Sequence, residues 1–221
     1  MDAKDRLPDV GFRPVEPSEA PATLADERQR VGARTSERVP FPVAWISLPG
    51  VLGKLGIAMA PGRGDRTADA VWARDLHADL RRLRHVHKVQ TLVTLLTDDE
   101  LETLGIAELA DAVASHGIEH LRLAVKDGAV PTLEQEDAAM ALLKGLVQRL
   151  QDGRTVVVHC RAGQGRSGTV AAMVAAVLGD RPSAAIERVR AVVPRAVETV
   201  AQEAYVADAA VAWARRRLAE R

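Results

Sequence analysis

Apolar and polar positions alternate between two periods along this chain, and the switches between them mark its elements. Residues Pro42-Val43-Ala44-Trp45-Ile46-Ser47-Leu48 read as a strand that stops at Pro49-Gly50. The glycine-rich stretch 50–66 reads as irregular. From Ala68 to Arg84, the positions Val71, Trp72, Leu76, Leu80 and Leu83 form one apolar stripe and predict a helix. A strand is expected at 89–96, a helix near 106–116 and a strand at 118–125. Thr132 with Gln135 resembles a capping box, opening a long helix whose inner face is Leu142, Leu143, Leu146, Val147 and Leu150. Asp152-Gly153 turns the chain into a strand at 154–159, where Val156-Val157-Val158 is apolar on both faces, as in a fully covered central strand. A small-residue helix to about Leu178 and helices at about 183–192 and 199–218 complete the pattern. Strands alternating with helices predict an α/β fold with a central, mainly parallel sheet flanked by helices.

Residues 1–40 break this pattern. They carry Pro8, Pro14, Pro17, Pro21 and Pro40 among many charges, and read as a flexible or loosely docked arm with room for a short helix at 24–31. The folded domain is assigned to 41–221. Apolar residues make up 47% of the chain, enough to exclude global disorder. The net charge of zero gives no footprint for nucleic acid. A single cysteine excludes an internal disulfide and suits a reducing compartment. Neither a signal peptide nor a long apolar span is visible, so a cytoplasmic protein without a membrane span is expected.

The chemistry concentrates at His159-Cys160-Arg161-Ala162-Gly163-Gln164-Gly165-Arg166-Ser167-Gly168. A buried strand delivers the cysteine, glycines follow, and a helix starts at the arginine. Gly163 and Gly165 permit a tight loop whose N–H groups, Arg161 to Gly165, turn inward as an anion nest. The helix N-terminus adds partial positive charge. Arg166 can offer phosphate a two-pronged hydrogen bond. The same field favours a thiolate at Cys160, able to attack phosphorus and form a cysteinyl-phosphate. Ser167 can assist the sulfur as leaving group, and His159 is expected to orient the loop.

These residues resemble the signature loop of the cysteine-based dual-specificity protein phosphatases, in particular the kinase-associated phosphatase family, also called cyclin-dependent kinase inhibitor three. The resemblance runs from about Trp45 to Trp213. It includes Trp45-Ile46-Ser47-Leu48-Pro49-Gly50, Val93-Thr94-Leu95-Leu96-Thr97-Asp98, Asp127-Gly128 with Pro131, and Glu198-Thr199-Val200-Ala201-Gln202. It implies a phosphatase fold of the protein-tyrosine-phosphatase type. It also implies that Asp127 is the general acid and that Gln202 orients the attacking water. Asp98 and Asp99 are rival acids, better read as a helix cap. No cofactor or metal is implied, and His85-x-His87 reads as helix-end polarity.

Other features bear on substrate. Lys54, Arg63 and Arg66 either rim a cleft or keep a loop soluble, the second being preferred. No tyrosine stands where a deep phosphotyrosine slot would need one, so a shallow cleft taking phosphotyrosine and phosphoserine or phosphothreonine in proteins is expected. Within the loop, Arg161 and Gln164 depart from the family it resembles. A basic residue at 161 keeps an inositol-phosphate or phosphoinositide phosphatase open as an alternative. A pseudophosphatase that binds phosphoprotein without turnover is the reading from another class.

Overall fold

The computed structural model describes residues 32–219, so the expected helix at 24–31 lies outside the described residues. The apolar run before Cys160, Thr155–His159, is the central strand of a five-stranded sheet. In chain order the strands are β1 (Ala44–Ile46), β2 (Lys54–Ala58), β3 (Arg66–Thr67), β4 (Ala70–Val71), β5 (Thr91–Thr94), β6 (Glu119–Arg122) and β7 (Thr155–His159). The main sheet has the order β1-β2-β7-β5-β6, and only the β1–β2 pair is antiparallel. The helices are α1 (Leu76–His85), α2 (Asp98–Thr103), α3 (Leu109–Ser115), α4 (Glu136–Gln151), α5 (Gly165–Val177), α6 (Pro182–Arg190) and α7 (Val200–Ala219). A short 3-10 turn, Leu133–Gln135, precedes α4, and the Thr132–Gln135 capping box is present there.

Side chains of β7 alternate between two cores. Val156 and Val158 enter the layer formed with α4, α5, α6 and α7, while Val157 enters the layer under α1 and α3. Covering both faces of a parallel strand is what its unbroken apolar run requires. At the carboxyl end of β7, His159 pairs with Ala58 of β2 and Thr94 of β5. The loops leaving these three strands, and the one after β6, therefore open on one edge. That edge is where ligands sit in open α/β sheets.

Two expectations are corrected. The stretch 50–66 is not irregular throughout, because Lys54–Ala58 forms a strand beside β7. Its pattern is hidden by Gly56, where an added Cβ would clash with Val43 Cγ1 and lie 3.1 Å from the Trp45 ring. The helix expected from Ala68 starts only at Leu76, where Asp75 caps it by accepting the Ala78 N–H at 2.6 Å. Val71 and Trp72 belong to a small β3–β4 hairpin and its edge, and Trp72 bridges to Arg34. Residues 33–41 are also packed on the domain. Ala33 and Phe41 are buried, Ser36 bonds Asp79 at 2.7 Å, and Arg74 donates to the Val39 carbonyl at 3.0 Å.

Candidate active site

Cys160 follows β7 directly and is buried, with its Sγ 3.5 Å from Ser167 Oγ. The loop after it closes tightly. Gly163 sits at φ +75°, and a Cβ there would lie 2.6 Å from the Ala58 carbonyl carbon, so both conformation and space call for glycine. The main chain of Arg161 is pinned by the Ala60 N–H, which donates to its carbonyl at 3.2 Å. The helix α5 then begins at Gly165, and its first turn carries Ser167, the hydroxyl that faces the sulfur.

His159 has no exposure to solvent, and burial pushes its pKa down to about 3, so the ring is neutral near pH 7. Its hydrogen bonds have one consistent polarity. Nδ1 faces the Cys160 carbonyl at 3.2 Å, an acceptor, so Nδ1 carries the proton. Nε2 then accepts from Thr94 Oγ1 at 2.7 Å, and Thr94 Oγ1 accepts from His120 Nε2 at 2.8 Å. This chain ties the loop to β5 and β6, which is an orienting arrangement.

Arg166 is buried in a cage of acceptors. Its two Nη atoms reach Glu100 at 2.7 and 2.8 Å, and Nη1 also reaches the Val125 carbonyl at 2.9 Å. Asp127 Oδ1 lies 2.9 Å from Nη2. Burial works against the charge, but the Glu100 hydrogen bonds and the charges of Cys160, Glu100 and Asp127 outweigh it, and the pKa is raised. The prongs expected to face phosphate are thus turned to Glu100, while Nε is buried with no hydrogen-bond partner. A buried cationic N–H without a protein acceptor is rare in folded proteins.

Glu100 is a partner of Arg166 that the sequence did not suggest, because Thr97-x-x-Glu100 reads as a capping box. It is one: Thr97 caps α2, and Glu100 Oε2 accepts the Thr97 N–H at 3.1 Å. The same oxygen serves Arg166. This also corrects the reading of Asp98 and Asp99 as caps, since they occupy the first turn and Asp98 pairs with Arg122 at 2.6 Å.

Asp127 lies in the loop after β6, its side chain 71% exposed. Gln202, from α7, is buried. Its Oε1 accepts the Glu198 N–H at 2.9 Å and its Nε2 donates to the Ala129 carbonyl at 3.3 Å. Arg161 donates through Nε and Nη2 to Asp65 Oδ2, at 2.9 and 2.6 Å. Asp65 also receives Arg63, which is buried, so Arg63 is no solubilising loop residue. Ala162 is exposed and Gln164 half-buried. His87 lies away from the loop, 3.2 Å from the Phe41 carbonyl, and the described residues hold no cluster of three side chains able to ligate a metal.

The profile of the family described as PTP-SAK, a Swiss Army Knife protein with a DSP-PTPase phosphatase domain, matches residues 71–206, more than half of the chain. The chain belongs to this family. Cyclin-dependent kinase inhibitor 3 of Rattus norvegicus is 26% identical over 175 residues, covering 77% of this chain and 79% of the relative. That of Homo sapiens is 27% identical over 158 residues, covering 70% and 71%. Among solved structures, kinase-associated phosphatase with its catalytic-site cysteine replaced by serine aligns with a TM-score of 0.70 at 25% identity. It covers 80% of this chain and 98% of its own. PTPMT1 in complex with PI(5)P shares the fold, with a TM-score of 0.55 at 21% identity over 74% of this chain and 94% of its own. The dual-specificity phosphatase family thus accounts for the mainly parallel sheet and for the cysteine loop at its carboxyl edge. Among the described residues no helix is long and apolar enough to cross a membrane.

Proposed function

We propose that this protein hydrolyses phosphomonoesters through a cysteinyl-phosphate intermediate, with phosphorylated proteins as the substrate class. The observation that carries the reading is a buried Cys160 set against the start of α5, beside a caged Arg166 whose Nε lacks an acceptor. A phosphate in the loop would meet Arg166 Nε and the main-chain N–H groups of 161–166. Cys160 Sγ attacks phosphorus, the P–O bond to the leaving group breaks, and Asp127 supplies that oxygen with a proton. Ser167, within reach of the sulfur, stabilises the thiolate when it leaves in the second step.

Dual specificity is supported by the absence of an open aromatic wall among the described residues near the loop. Trp72, linked to the loop through Arg63 and Asp65, is buried, with the Arg34 and Arg63 guanidiniums 5.0 and 4.9 Å from its ring centroid. Arg161, the basic residue that keeps the inositol-phosphate alternative open, has two of its nitrogens committed to Asp65. Phosphoprotein is therefore preferred. The proposed reaction needs no cofactor, and the proposed location is the cytoplasm.

The test is p-nitrophenyl phosphate turnover by the wild-type protein and by Cys160→Ser, followed by a panel of phosphotyrosine, phosphoserine and phosphothreonine peptides and inositol phosphates. Turnover that disappears with the sulfur supports the assignment. A wild type that binds phosphopeptide and releases no phosphate supports the pseudophosphatase instead.

A further inference from the structure

Asp65 is a buried carboxylate shared by two guanidiniums that differ in their freedom to move. Arg63 is buried and holds it with two hydrogen bonds, Nε to Oδ1 at 2.5 Å and Nη2 to Oδ2 at 3.1 Å. Arg161, with a side chain 38% exposed, reaches the same Oδ2 through Nε and Nη2. Main-chain bonds fix the position of the carboxylate. The Trp72 N–H donates to the Asp65 carbonyl at 2.7 Å, and the Arg74 N–H donates to the Arg63 carbonyl at 3.1 Å. Arg63 also lies against the Trp72 ring. Burial works to raise the Asp65 pKa, but the hydrogen bonds from Arg63 and Arg161 lower it, so the carboxylate is charged near neutral pH. Asp65 is therefore the fixed member of the pair, and Arg161 is the one free to swing.

Arg161 stands directly after Cys160, so its main chain belongs to the phosphate loop and its side chain leaves from the rim of that loop. The side chain lines a cleft with Asp99, Glu100, Thr103 and Leu104. Glu100 is also the carboxylate that holds Arg166, which sets the Arg161 side chain beside the Arg166 cage. A free guanidinium at that place would offer a two-pronged hydrogen bond to a second phosphate on the substrate. Bound to Asp65, in a cleft that also carries Asp99 and Glu100, its charge is already balanced.

We propose that Asp65 is a specificity-determining residue: by holding Arg161 it closes the rim of the phosphate loop to a second phosphate group and restricts the site to substrates that bear a single phosphate. This rests on the reading of the Cys160 loop as a phosphate site. The disfavoured chemistry is a phosphomonoester with another phosphate beside the scissile one, whether in a doubly phosphorylated peptide or in an inositol bisphosphate. For such a substrate to gain Arg161, the guanidinium must give up Asp65, and exchanging one anionic partner for another yields little net binding. Asp65 and Arg63 come from the loop between β2 and α1, so a segment remote in sequence sets the substrate range of the phosphate loop.

The readout is the ratio of kcat/KM for a doubly to a singly phosphorylated substrate. It is taken with a peptide carrying adjacent phosphothreonine and phosphotyrosine against its singly phosphorylated forms, and with inositol bisphosphate against inositol monophosphate. Asp65→Asn should raise the ratio about tenfold, through KM rather than kcat. The gain should shrink in high salt. A merely structural loss would lower both substrates and leave the ratio where it was. Arg63→Met/Asp65→Asn removes both buried charges and keeps the wild-type net charge. It carries the test where Asp65→Asn fails to fold, and a gain there cannot come from net charge. Adding Arg161→Met to either variant should abolish the gain. A gain on the peptide pair, the inositol pair or both supports the proposal and identifies the source of the second phosphate. A folded Asp65 variant with the wild-type ratio for both pairs, or a gain that survives Arg161→Met, overturns it. A wild type that turns over none of these substrates removes the phosphatase reading instead, and the same ratio taken from dissociation constants then decides the role of Asp65.

Discussion

At the scale of single residues, Cys160 and Arg166 were legible because one unbroken stretch carries nucleophile, glycines and guanidinium in order. Their partners were not. Glu100 meets Arg166 across a separation of 66 positions, and nothing next to Glu100 distinguishes it from an ordinary capping glutamate. Asp127 was visible only through the resemblance, since Asp-Gly is also a common turn. The structure puts its carboxylate 2.9 Å from Arg166 Nη2, at the edge of the cage. If Asp127 protonates the leaving oxygen, Asp127→Ala should lower kcat by about 10²–10⁴ on substrates with poor leaving groups. The rate of Cys160 alkylation by iodoacetate should stay near wild type. Unchanged turnover of phenyl phosphate by the variant would remove Asp127 from the mechanism.

At the scale of elements, hydrophobic period located most helices and strands, and failed where two elements share one apolar stripe. Val71 and Trp72 fall in helical register with Leu76, yet they pack from a hairpin against Ala33 and Arg34. Periodicity reports burial and cannot say which neighbour does the burying. Polar ties between elements were equally silent. Glu119 on β6 holds Arg149 on α4 and also pairs with Arg154 at 2.8 Å. Its Arg149 hydrogen bond is the largest cause of a pKa lowered from 4.5 to about 2. The folded value lies below the unfolded one, so the folded state holds fewer protons in between. The stabilisation is therefore present above pH 4.5 and disappears as pH falls towards about 2. For partly exposed groups it amounts to roughly 1 kcal/mol or less. Urea unfolding of wild type and Glu119→Gln should differ near neutrality and converge at acid pH. A difference that grows as pH falls would contradict the assignment.

At the scale of the whole molecule, the loop between β2 and α1 is welded to the phosphate loop. Asp65 joins buried Arg63 to Arg161 across 96 positions, and the two guanidiniums hold the Asp65 pKa down against its own burial. Removing the carboxylate leaves Arg63, with a side chain 5% exposed, buried without its partner. Asp65→Ala should cost about 3–5 kcal/mol in urea unfolding, as expected for breaking a buried ion pair. A loss below about 1 kcal/mol would show that the triad is well solvated.

The sequence by itself determined the local features. It set the strand-loop-helix around Cys160, the capping box at Thr132, the covered strand 155–159 and the α/β alternation, because each depends on neighbours a few positions apart. Tertiary structure alone decided which distant carboxylates reach the loop: Glu100 on Arg166, Asp65 on Arg161, and Glu198 against Gly165. Those pairings arise where chain segments cross the carboxyl edge of the sheet. A one-dimensional pattern has no register for such crossings.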